Sequence, residues 1–200
     1  MDKMKIFDLV LSDEVLPNGK KKYKVNFIAF TPDPAIEETW IAMAKETFDV
    51  KFEAIDEEKH IVIGPYMVAD RPILRLHPKT GEPFLVKMTA DTIEKIMFQI
   101  FDEGYHKNNN DNHTDKTLDG ITLYQSWIIN RSLGITPPTK WPDLTDGSAM
   151  GVWKVNNESV WKDIKDGKYT GPSIEGYLKL NEVKELTETE LNELLDETQK

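Results

Sequence analysis

Apolar residues recur along this chain in short runs of two kinds, alternating as in strands or spaced at three and four as in helices. Lys5 to Leu11 and Tyr23 to Phe30 read as strands, and Leu16-Pro17-Asn18-Gly19 between them predicts a hairpin. Thr31-Pro32-Asp33-Pro34 breaks the second strand. Ala35 to Glu46 then predicts a helix with Ile36, Trp40 and Ala44 on one face. Phe48 to Ile55 and His60 to Val68 are strand-like, divided by the polar Asp56-Glu57-Glu58-Lys59 turn. Ile73 to His77 and Pro83 to Met88 predict a hairpin around Lys79-Thr80-Gly81.

The strongest helical pattern runs from Ala90 to Asp102, with Ile93, Ile96, Met97, Ile100 and Phe101 spaced for one face. Thr89 suits its N-cap, Asp91 its first turn and Gly104 its end. A polar stretch, Tyr105 to Thr117, predicts a loop, and Ile121 to Ile129 a buried strand. Arg131 to Met150 is rich in proline and glycine and predicts irregular structure. Gly151 to Val155 is a short strand. Asn156 or Asn157 then caps a helix reaching Asp166, with Val160, Trp161 and Ile164 inward and Gly167 closing it. Ser173 to Leu180 reads as one more strand. In the tail, Thr187 and Glu190 form a capping box for an amphipathic helix to Gln199. The order of elements predicts an α+β fold, a largely antiparallel sheet or barrel flanked by a few helices. Residues 1–182 would form the domain and 183–200 a helical tail.

Composition narrows the classes. Hydrophobic residues make up 39% of the 200 and aromatic residues 10%, enough for a real core. The formal net charge of −10 argues against a basic face for sequence-independent nucleic-acid binding. It suits a soluble chain or a basic partner. The absence of cysteine excludes disulfides, thiolate metal sites and a cysteine nucleophile. The N-terminal segment is too short and too charged for a signal peptide. No apolar run approaches the ~18 residues that would span a membrane.

Two segments carry candidate chemistry. His113 lies in the polar stretch Asn110-Asp111-Asn112-His113-Thr114-Asp115, just before an apolar strand. An imidazole there can take and return a proton near neutral pH, although an exposed loop histidine reads the same way. Asp111, His113 and Asp115 alternate and could instead hold a divalent ion if the loop made them converge. Ser173 opens a strand after Gly171-Pro172 and shortly before Gly176, and small neighbours allow a substrate to approach its hydroxyl. A turn serine at a strand start is the plainer reading. The segment is not a Gly-x-Ser-x-Gly elbow. His60 and His77 sit in strand-like stretches as packing or surface residues.

The same segments resemble a family. Gly151 to Tyr177, ending in Gly171-Pro172-Ser173-Ile174-Glu175-Gly176, is similar to phage serine proteases of the XkdF type, distant relatives of prohead proteases and herpesvirus assemblin. Asn112-His113-Thr114-Asp115, Leu118-Asp119-Gly120-Ile121 with Gln125 to Ile129, Ile63 to Ile73 and Pro34 to Glu38 resemble further family segments, in order, across about residues 25 to 180.

The resemblance implies an assemblin-like fold and a prohead maturation endopeptidase. Such an enzyme works inside an assembling procapsid in the host cytoplasm and cuts segments of scaffold and major capsid protein. It needs no cofactor and no metal, and binds neither nucleic acid nor membrane. Dimerisation is known among the assemblin relatives. Ser173 would be the nucleophile and His113 the general base. Two departures bear on activity. Pro172 stands where the family usually has an aromatic or aliphatic residue, and it removes an N–H. Gln125 stands where an acidic residue often sits, so the third member of the triad falls to Gln125, Asp119 or Asp115. A catalytically weakened protein of the same fold, acting as a capsid-assembly or scaffold component, is the alternative reading.

Overall fold

The computed structural model describes residues 4–32, 51–77, 80–185, 187 and 190. The helix expected over Ala35 to Glu46 lies outside these residues, as does most of the expected tail helix. Thr187 and Glu190 do make the reciprocal capping-box hydrogen bonds, Thr187 N–H to Glu190 Oε2 at 2.9 Å and Glu190 N–H to Thr187 Oγ1 at 3.3 Å.

Among the described residues the strands form three open sheets flanked by helices, an α+β fold whose sheets do not close into a barrel. The first sheet is ordered β11 (Lys179–Glu185), β1 (Lys5–Val10), β6 (Pro83–Met88), β5 (Ile73–Leu76). The second is β10 (Gly171–Tyr177), β2 (Lys24–Thr31), β7 (Asn109–Asp111). The third is β3 (Glu53–Asp56), β4 (Ile61–Met67), β9 (Ala149–Val155), β8 (Ile121–Ile128). Pairing is antiparallel except at β1–β6 and β2–β7 among the described residues.

Helix α1 (Ala90–Asp102) matches its apolar period, buries Ile93, Ile96 and Ile100, and is capped by Thr89. Helix α2 (Glu158–Lys165) is capped by the Asn157 carboxamide, and its Val160 and Trp161 are buried. These helices pack on one continuous core with Val25, Ile28, Phe30, Tyr66 and Trp153. Trp153 makes edge contacts with Phe30, Phe52 and Tyr66, and Phe30 makes another with Tyr169. Those rings lock the second and third sheets together.

Three expectations need correction. The turn after Leu16 forms locally, with Leu16 N–H to Lys20 O at 2.8 Å and a bridge between Val15 and Lys21. The strands on either side of it nevertheless join different sheets. β1 pairs with β11 and β6 while β2 pairs with β10 and β7, because a neighbour on each side of a strand satisfies more backbone than one hairpin partner would. The strand expected over Ser173 to Leu180 is two strands, β10 and β11, separated at Leu178. The polar loop also contains a strand, β7, whose Asn-Asn-Asp sequence has little β propensity. Parallel pairing to β2 holds it instead, together with the buried Asn109 carboxamide, which donates to Ile121 O at 3.1 Å.

Candidate functional site: a serine, a histidine and a glutamate on one sheet face

The second sheet builds the site. In β10, Ile174 packs toward the core, so Ser173 and Glu175 project from the opposite face. One strand repeat of two residues sets them about 7 Å apart along β10. Ser173 is opposite Ala29 on β2, and Ala29 is opposite Asn110 on β7. The row Ser173–Ala29–Asn110 therefore crosses the sheet, with the small and fully buried Ala29 at its centre.

Backbone geometry explains Pro172. Ile28 N–H donates to Asn108 O at 2.9 Å and Asn112 N–H donates to Phe30 O at 3.0 Å, so the backbone groups of Ile28 and Phe30 face β7. By alternation those of Ala29 face β10 and pair with Ser173. Pro172, opposite Phe30, then occupies a position whose absent N–H would point away from β2. β10 is an edge strand of its sheet, where proline costs no ladder bond.

Beyond Glu175 the register shifts: Glu175 is opposite Phe27 and Gly176 opposite Val25, leaving Asn26 as an extra residue on β2. The bulge is satisfied from outside. Gln99 of α1 accepts from Val25 N–H at 3.0 Å, and Asn108 donates to Asn26 O at 3.2 Å. A Cβ on Gly176 would lie 2.1 Å from Lys24 O. Thus Ser173-Ile174-Glu175-Gly176 reads as site, core, site and close approach.

His113 reaches this face from the turn after β7. Asn112 and His113 both have left-handed backbone, with φ of 47° and 57°. The turn is clamped to the end of β2 by Asn112 N–H to Phe30 O and by the Thr31 hydroxyl, which donates to Asn112 Oδ1 at 2.7 Å. The His113 Nδ1 atom lies 3.3 Å from Glu175 Oε2. This is slightly beyond ordinary hydrogen-bond range. The same oxygen accepts from Asn110 Nδ2 at 2.6 Å. Side-chain exposure of 22% for His113 and 35% for Glu175 leaves the pair partly shielded from water. A carboxylate facing Nδ1 favours the proton on that atom, which leaves Nε2 as the basic nitrogen.

The remaining candidates fall elsewhere. Asp111 turns to Lys116, whose ammonium is 2.8 Å from Oδ2. Burial pushes the Asp111 carboxyl up, but Lys116 and Tyr169 beside it outweigh that and hold it below the ordinary aspartate value. Asp115 is exposed in the turn. Asp119 is exposed too, and its carbonyl accepts from the Asn157 carboxamide at 3.1 Å, tying the start of β8 to α2. Gln125 is exposed on β8 in the third sheet, opposite Val152. Among the described residues none of these three bonds to His113, and no group of His, Asp or Glu forms a cluster able to hold a metal ion. Glu175, which stands beside His113, was not among the sequence candidates. Its signal was the two-residue spacing from Ser173 on a strand.

Ser173 and Glu175 share a strand face and His113 meets Glu175 there, and these are residue types from which serine hydrolases build their sites. Residues 49–182 match the family model described as "Putative phage serine protease XkdF", and the chain belongs to that family. No curated protein and no solved structure matches it.

Proposed function

We propose that this chain is a serine endopeptidase of phage capsid maturation, with Ser173 as nucleophile, His113 as general base and Glu175 as the carboxylate that orients His113. The observation that carries this reading is the contact between His113 Nδ1 and Glu175, on the face and strand that bear Ser173.

In this mechanism His113 Nε2 removes the Ser173 hydroxyl proton as Oγ attacks the peptide carbonyl carbon. Glu175 stabilises the resulting imidazolium. His113 then protonates the leaving amine, and the C–N bond breaks to leave an acyl-serine. A water molecule gives its proton to Nε2 and attacks the ester, and the proton returns to Ser173 Oγ as the acid product leaves. Gln125 carries no charge, but with Glu175 in place the site does not depend on it for a carboxylate. The assemblin-like arrangement, action inside a procapsid and the capsid-protein and scaffold substrates follow from the family resemblance.

The test is co-expression with the phage's major capsid and scaffold proteins. Wild type should cut at least one of them, and Ser173→Ala and His113→Ala should each abolish the cut. Cleavage surviving in both variants refutes the assignment. An uncut but stably bound capsid protein would point to the assembly-component alternative.

A further inference from the structure

We infer that Asn110 is a positioning residue for the proposed peptidase reaction, because its carboxamide holds the Glu175 oxygen that faces His113. The inference rests on the peptidase reading for its kinetic consequence but not for its geometry.

Three observations carry it. First, Asn110 Nδ2 donates to Glu175 Oε2 at 2.6 Å, and His113 Nδ1 lies 3.3 Å from that same oxygen. A carboxylate can turn about its last torsion, and anchoring this oxygen keeps it facing the imidazole. Second, Asn110 is itself held. It lies in β7, opposite Ala29 of β2, and is 2% exposed. It therefore relays the rigidity of the sheet to a glutamate that is more than a third exposed.

Third, the Asn110 Oδ1 atom is buried and has no hydrogen-bond partner among the described residues. The orientation of the amide is not in question, because Glu175 can only accept and so must face Nδ2. Half of this carboxamide is thus satisfied by a group of the site, and half is left at a cost that an apolar residue of the same shape would avoid. A side chain kept for stability would not be built so. One whose donor is needed at Glu175 would be.

Asn110→Leu separates these roles, since leucine keeps the branched shape, with some added bulk, and removes both the donor and the orphaned acceptor. The variant should melt near the wild-type temperature. Its kcat should fall about 100-fold, the scale expected when a catalytic group is misplaced by an ångström, with KM little changed. Nitrogen NMR of the imidazole supplies a second readout that needs no substrate. The His113 tautomer protonated at Nδ1 should dominate in wild type and give way to a mixture in Asn110→Leu. Wild-type kcat in the variant, or a loss of kcat that follows only a lowered melting temperature, overturns the inference. If wild type cleaves nothing, the peptidase reading falls by itself. An unchanged His113 tautomer in Asn110→Leu then overturns the positioning role independently.

Discussion

At Asn112 and His113 the chain accepts left-handed backbone on two successive residues that are not glycine. Asparagine tolerates this conformation better than histidine, and each such residue costs about 1–2 kcal/mol. The Thr31 hydroxyl and Phe30 carbonyl hold the turn in place, so the cost is met by bonds that also aim His113 at Glu175. The proposed division of labour makes a specific demand on Glu175. Glu175→Gln keeps the size and the acceptor but removes the charge that favours the imidazolium. In the serine-protease template the corresponding change costs about 10⁴ in kcat. A comparable loss with KM nearly unchanged is expected here in peptide-cleavage kinetics, and a loss below tenfold would show that Glu175 does not act on His113. The family resemblance singled out Ser173 and His113 in the sequence, and Glu175 stood unmarked in the same motif as Ser173. What hid it was chain distance. Asp115 and Asp119 lie close to His113 in sequence, whereas sheet pairing is what brings Glu175 to it.

Among the elements, α1, α2 and the β5–β6 hairpin follow directly from local signals, because caps, period and turn residues agree there. β7 does not. Its three polar residues take strand geometry from the non-local pairing with β2, supported by a short antiparallel bridge to Thr117, and that pairing also brings Asn110 and His113 to the site. Likewise, no local signal shows that β1 and β2 part company, since the partners that separate them, β11 and β10, lie at the far end of the chain. The anchoring of β7 has a pH dependence. Asp111 at its end is ionised more readily in the fold than in the unfolded chain. It therefore stabilises the fold above the unfolded aspartate value of about 3.9, and that contribution is lost as pH falls through the lower folded value. Melting temperatures recorded from pH 7 to pH 3 should show a smaller acid-side loss in Asp111→Asn than in wild type, together with a lower starting point at pH 7. Parallel curves for the two proteins would contradict this role.

Over the whole molecule, the sheets share a main aromatic-centred core beside two smaller buried clusters, and Ser173 lies on an edge strand of the second sheet. The α+β class was legible from element order, while the division into three open sheets was not, because sheet partners are chosen by burial across the chain rather than by neighbours in sequence. The site needs all of this frame. β10 supplies Ser173 and Glu175, β2 the small floor at Ala29, and β7 the support at Asn110. The turn after β7 supplies His113. On the proposed reading this frame makes one serine hydroxyl nucleophilic. The most direct test is covalent labelling of the full chain with a fluorophosphonate probe, with the modified residue located by peptide mass spectrometry. A single label on Ser173 is expected in wild type and none in Ser173→Ala. In His113→Ala, labelling should be at least about 100-fold slower, the scale of general-base assistance. Label on another residue, or equal rates with and without His113, would contradict it.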